Sequence, residues 1–170
     1  MGLNSIVLIG MPGTGKSTVG AKLAKRLRYP LIDTDCLILE KTGKTLPQIL
    51  TENGIDGFIA VEGTIGAELK CDRCVISTGG SMVFSEVAMQ NLCKGNTVVW
   101  LDTSLAELER RIHRHADRGI AAAPGTTVAQ LDAVRRPLYQ KYANIRIQTV
   151  GGIERVVTQL LEALNLLDRH

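Results

Sequence analysis

The five residues Ser5-Ile6-Val7-Leu8-Ile9 carry no charge, and four of them are large aliphatics. So short and apolar a run reads as a strand buried on both faces. A glycine-rich turn follows. Val19, Leu23 and Leu27 then recur every four residues, the stripe of a helix packed on a sheet. This alternation repeats along the chain. Residues 30–33, 74–77, 97–101 and 144–150 are further strand-like runs. Residues 36–41, 47–53, 54–70, 85–93, 105–115, 128–142 and 153–167 read as helices. Pro47 suits a first helical turn, and Gly95 follows a helix end. Asp102-Thr103-Ser104 suits a cap for the helix over 105–115. Pro137 lies inside the 128–142 pattern, where a proline removes a hydrogen bond and kinks the helix. Strands alternating with helices predict a largely parallel sheet with right-handed crossovers. No repeat, linker or low-complexity stretch divides the chain, so one domain is expected over residues 1–170.

The first turn carries the clearest chemistry. Gly10-Met11-Pro12-Gly13-Thr14-Gly15-Lys16-Ser17 reads G-x-x-x-x-G-K-S, a phosphate-binding loop between strand and helix. Its glycines let successive N–H groups turn inward around an anion, and the helix N-terminus adds partial positive charge. Gly13, Thr14, Gly15, Lys16, Ser17 and Thr18 are the expected nucleotide cradle. Lys16 would lie along the β- and γ-phosphates, and the Ser17 hydroxyl would hold Mg²⁺.

Other candidates fall at the same edge of the sheet. Asp33-Thr34-Asp35 closes the second strand, where ligands of open α/β sheets bind. One carboxylate would hold a water of the Mg²⁺ shell and the other would take a proton from an attacking hydroxyl; the structural alternative is that Asp35 caps the next helix. Thr78-Gly79-Gly80-Ser81 ends the third strand, either as a plain turn or as a loop whose backbone approaches a ligand. The helix over 105–115 carries Arg110, Arg111 and Arg114 and runs into Asp117-Arg118-Gly119. The aperiodic stretch that follows suits either a mobile lid over the phosphates or a surface loop. Arg135 and Arg136 precede Pro137, and the kink would aim one of them at the substrate.

Composition adds bounds. The hydrophobic fraction is 45% and the aromatic fraction 4%, so the core is chiefly aliphatic. Twenty basic residues against 17 acidic give a net charge of +3, too mild to point to nucleic acid. No apolar run reaches the roughly 20 residues of a membrane span, and the N-terminus shows no signal-peptide pattern; a cytoplasmic protein is expected. Cys71 and Cys74 have no second ligand pair for zinc, and a redox pair would open a helix rather than precede a strand. Cys36, Cys71, Cys74 and Cys93 are therefore read as reduced, and His113 and His115 as solvated.

Taken together, the loop at 10–17, Asp33-x-Asp35, Gly79-Gly80, Arg118 and Arg135-x-Pro137-Leu138-Tyr139 resemble the shikimate kinase family. That resemblance implies a three-layer α/β/α P-loop fold with a five-stranded parallel sheet in the order 2-3-1-4-5. It places a substrate-binding region at about 34–70 and a lid at about 116–127. It implies transfer of the ATP γ-phosphoryl group, with Mg²⁺, to a shikimate hydroxyl. A monomer without nucleic-acid or membrane partners is expected. Lys16, Asp35 and Arg118 would be catalytic, with Ser17 and Asp33 serving the metal. Arg111 would lie on adenine. Asp35, Gly79, Gly80 and Arg135 would hold the substrate, Arg135 through its carboxylate.

Three positions depart from the family pattern. Ile59 stands where F-R-x-x-E has arginine, Ser81 replaces a third glycine, and Arg118-Gly119-Ile120-Ala121 replaces R-P-L-L. Ile59 offers no guanidinium to a carboxylate. Glu62 loses an arginine neighbour, which leaves open an acceptor such as the hydroxy amino acid homoserine. A nucleotide-binding module without catalysis is the remaining alternative.

Overall fold

The computed structural model describes residues 4–113 and 120–167. The central strand β1 (Ile6–Ile9) is flanked by β3 (Val75–Ser77) and β4 (Thr97–Asp102). Outside them lie β2 (Leu31–Asp33) and β5 (Ile145–Gln148), giving the order β2-β3-β1-β4-β5. Every neighbouring pair is parallel, as expected from the alternation.

Alternate side chains of β1 leave on opposite faces. Val7 and Ile9 join Ile76, Val98 and Trp100 against helices α4 (Glu86–Cys93) and α6 (Val128–Tyr142), with Leu108 of α5 (Leu105–His113) beside them. Ile6 and Leu8 join Val75, Val99 and Leu101 against α1 (Lys16–Leu27) and α7 (Ile153–Leu167). All four β1 side chains are fully buried, and each such aliphatic stabilises the fold by about 1.5–3 kcal/mol. A run this apolar therefore has only one place to go, the middle of the sheet.

Helices α2 (Thr34–Thr42) and α3 (Leu46–Glu68) build a third, smaller cluster from Ile38, Ile49, Phe58 and Ile65, joined by Ala121. A capping box of Thr45 and Gln48 starts α3, with Pro47 in its first turn. At Gly54 the backbone leaves helical values (φ 68°, ψ −175°), which divides α3 where its glycines predicted a break. A second capping box, Thr127 with Gln130, opens α6.

Parallel strands share a C-terminal edge. In register, Asp33 lies beside Ser77, and Ser77 beside Leu8. The turns that leave this edge carry the residues singled out above. One expectation fails below it. Cys71 and Cys74 are joined as a disulfide, with Cα atoms 6.3 Å apart; their three-residue spacing ahead of β3 brings the two side chains together there. Only Cys36 and Cys93 are free. No described helix is long and apolar enough to cross a membrane.

Candidate active site

The turn from β1 to α1 is set by its glycines. Gly13 and Gly15 take left-handed φ values of 84° and 91°, open to glycine at little cost. Gly15 then stands at the N-cap of α1 with no side-chain cap, so the first amides of the helix face the cavity beyond it. Lys16 is only 8% exposed. Its Nζ donates to the carbonyls of Gly10 at 2.8 Å and Met11 at 2.9 Å. Burial pulls its pKa down to about 8, against the raising influence of Asp35. Phosphates would reverse that pull and hold the ammonium charged. The Thr14 hydroxyl is buried with no partner among the described residues.

Ser17 begins the metal side of the site. Its hydroxyl donates to Asp33 Oδ2 at 2.7 Å. Asp33 Oδ1 in turn accepts from the Asp35 amide at 3.0 Å, so Asp33 is the N-cap of α2. The capping anticipated for Asp35 thus falls to Asp33, and Asp35 sits in the first turn of α2. No group of three or more acidic, histidine or cysteine side chains that could hold an ion occurs among the described residues. Two hard oxygen donors suit Mg²⁺, which keeps several waters and arrives with phosphates rather than in a protein cage.

A cavity of about 510 Å³ joins this cradle to the acceptor side. Pro12, Lys16, Ser17, Asp33 and Asp35 line it. So do Glu62, Gly79, Gly80, Ser81 and Arg135, together with Ile120 and Ala121. The loop after β3 fits too closely for side chains. A Cβ at Gly79 would overlap Glu62 Oε1, and one at Gly80 would lie 2.8 Å from Pro12 and 2.9 Å from Arg135 Nη1. Both glycines are thus required by the packing of this loop against Glu62, Pro12 and Arg135. Thr34 accepts from the Gly79 amide at 3.0 Å, and Tyr139 donates its hydroxyl to the Gly80 carbonyl at 2.7 Å.

Arg135 is 1% exposed. Its Nη2 donates to the Ala121 carbonyl at 3.0 Å, and its guanidinium lies 5.5 Å from the centre of the Phe84 ring. Its Nε has no partner among the described residues, and none of the ion pairs found among them includes it. A buried cation in that condition is costly unless an anion arrives. Its neighbour Arg136 points elsewhere, pairing with Asp132 at 3.0 Å and Asp102 at 3.1 Å. One arginine of the two therefore faces the cavity.

Glu62, which keeps the glutamate of the F-R-x-x-E pattern, and Ser81, which departs from the family, prove to be partners. Glu62 is 1% exposed and accepts a hydrogen bond from the Ser81 hydroxyl. Burial pushes its carboxyl up to about 7, opposed by Ser81. Glu62 is thus neither free nor open to solvent, which corrects the expectation of a carboxylate waiting for an ammonium group. A polar residue three along from Ile59 on one helix was the available signal. Ile59 itself is half-buried and lines a separate apolar groove with Ile55, Phe84 and Val134.

Arg111 reaches the phosphate loop, with Nη1 donating to the Gly13 carbonyl at 3.0 Å and Nε to Glu107 at 2.5 Å. Thr18 lies on the cavity wall after Ser17. Arg118, Arg114 and His115 lie outside the described residues, as does the His113 side chain and the first part of the expected lid.

The shikimate kinase family model matches residues 12–165. A shikimate kinase of Rhodococcus erythropolis is 40% identical over 162 residues, covering 93% of this chain and 95% of the relative. One from Pseudomonas fluorescens is 35% identical over 170 residues, covering 98% and 96%. Among solved structures, shikimate kinase from Acinetobacter baumannii in complex with shikimate superposes with a TM-score of 0.88 at 31% identity, over 98% of this chain and 94% of that one. A gluconokinase from Sinorhizobium meliloti shares the fold at a TM-score of 0.62 and 21% identity. With its phosphate cradle, its acceptor cavity and these relatives, the chain belongs to the shikimate kinase family of P-loop small-molecule kinases.

Proposed function

We propose that this enzyme transfers the γ-phosphoryl group of ATP, in the presence of Mg²⁺, to a ring hydroxyl of shikimate. The observation that carries the reading is the buried Arg135 guanidinium in the same cavity as the phosphate loop, whose Nε has no hydrogen-bond partner and which joins no ion pair among the described residues. Shikimate is a small anion with hydroxyls on a ring, so its carboxylate would satisfy Arg135 while a hydroxyl turns towards Asp35 and the phosphates. Lys16, Thr14, Thr18 and the loop amides would hold ATP, with Arg111 at the adenine. Ser17, with Asp33 behind it, would hold Mg²⁺, which supplies charge neutralisation at the transferring phosphoryl. Asp35 orients the acceptor hydroxyl and takes its proton. Gly79 and Gly80 give the ring room to approach. Arg118 would reach the phosphates from a lid over about 116–127, and residues about 34–70 would form the acceptor-binding region. We expect the enzyme to act as a monomer in the cytoplasm, where ATP is supplied.

Such catalysis is mostly positioning and charge stabilisation. Asp35→Asn keeps the shape but removes the proton acceptor. We expect kcat to fall about 10²- to 10⁴-fold with ATP affinity nearly unchanged. Loss of ATP binding with kcat preserved would contradict the role.

Among the described residues, the carboxylate that would pair with the ammonium of homoserine is already bonded to Ser81, which favours shikimate. A coupled ADP-release assay with shikimate and homoserine tests the reading. Shikimate is expected to give the higher kcat/KM, and preference for homoserine would overturn it.

Positions 59 and 62 are three apart on α3 and so share a face. Ile59→Arg would put a second guanidinium in the groove that adjoins the cavity at Ala121, able to reach towards Glu62. One added charged hydrogen bond is worth about 1.5–3 kcal/mol, so the shikimate KM should fall at least tenfold. An unchanged KM would mean that the groove around Ile59 keeps position 59 away from the acceptor.

A further inference from the structure

Ser81 and Ile59 together change what Glu62 is able to do. A guanidinium beside a carboxylate pins it in the ionised form. Ser81 favours the ionised form less rigidly, because a hydroxyl both donates and accepts. It donates to an ionised Glu62 and accepts from a protonated one, so the hydrogen bond survives either state. Burial raises the proton affinity of Glu62, as does Asp35 on α2, while Ser81, Arg135 on α6 and Lys16 at the phosphate loop lower it. Tyr139 also faces the pair from α6, but burial pushes its phenol up, so it stays neutral. Burial prevails, and the carboxyl is pushed up to about 7.

Arg135 is the counter-charge that an anionic acceptor would claim. Once a carboxylate pairs with that guanidinium, its field at Glu62 is largely cancelled and a further negative charge enters the cavity. Both changes favour the neutral acid. We propose that Glu62 is a positioning residue that takes up a proton from solvent as the anionic acceptor seats on Arg135, with Ser81 exchanging donor for acceptor. The proton adds to a Glu62 oxygen, no other bond changes, and it returns to solvent when product leaves. This inference rests on the assignment of shikimate as acceptor.

The sign follows from linkage: the bound state holds more protons, so affinity is highest at low pH and falls as pH rises through the free-state value. Isothermal titration of the whole protein with shikimate, in buffers of different ionisation enthalpy, reads the proton directly. We expect about half a proton taken up at pH 7.5 and almost none at pH 5.5, with affinity about fivefold weaker at pH 8 than at pH 6, for a rise of about one pKa unit on binding. Glu62→Gln keeps a hydrogen-bonding partner for Ser81 but cannot ionise, so its proton uptake should fall well below that of the wild type, to the share that Lys16 contributes. Uptake undiminished in Glu62→Gln would assign the proton to Lys16 and overturn the inference. Should that variant not fold, the wild-type comparison decides alone: equal heats in all buffers at pH 7.5 overturn it. Equal heats leave the acceptor assignment standing, whereas no binding of shikimate at any pH overturns both.

Discussion

Lys16→Ala is expected to lower kcat for phosphoryl transfer by about 10³-fold or more, without unfolding the protein. Removing one preorganised donor aimed at developing charge typically costs 10²–10³. Lys16 adds a full charge in a site where burial already draws its pKa down to about 8. Its bonds to the Gly10 and Met11 carbonyls hold the ammonium at the loop before nucleotide arrives. Little reorganisation is then needed when phosphates take their place. Single-turnover transfer measured with saturating MgATP and shikimate checks this, alongside circular dichroism for the fold. A variant within tenfold of wild type would remove Lys16 from the mechanism.

The second large effect falls on the acceptor. Arg135→Ala should raise the shikimate KM by about 30- to 4,000-fold, since truncating one partner of a buried, hydrogen-bonded charge pair costs about 2–5 kcal/mol. The range is high because position 59 carries no second guanidinium to share the load. The same change removes an uncompensated buried cation from the free enzyme, so it is expected to leave thermal stability intact or raise it. A raised KM with an undiminished Tm therefore identifies a binding role. Melting and steady-state kinetics on the same preparation separate the two effects, and an unchanged KM with a collapsed Tm would make Arg135 structural.

Local features of this site were legible in the sequence. The phosphate loop is one continuous segment, and a strand as apolar as Ile6–Ile9 fits only the centre of a sheet. The break at Gly54 depends on one residue's own backbone freedom, whereas the capping boxes at Thr45 and Thr127 went unread although their residues lie three apart. The rest of what escaped depends on pairs brought together by the fold. Ser81 and Glu62 lie 19 residues apart, one on a loop and one on a helix, and neither alone points to the other. Arg135 and Arg136 are adjacent in sequence, yet a helix turns about 100° per residue, so one lines the cavity and the other joins Asp102 and Asp132. Pro137 marked the region without telling which arginine would face inward. Cys71 and Cys74 had a spacing open to several readings, and only their placement ahead of β3 shows them joined. Ile59 carried the sharpest warning about substrate. Its answer lay three residues further along, in a glutamate that had found a hydroxyl instead of a guanidinium.

The most direct measurement is phosphorus NMR of the purified protein with MgATP and shikimate. A phosphate monoester resonance should grow in step with ADP, dependent on shikimate and missing when Lys16→Ala replaces the wild type. ADP appearing only with free phosphate, or no turnover of shikimate at millimolar concentration, would contradict the account.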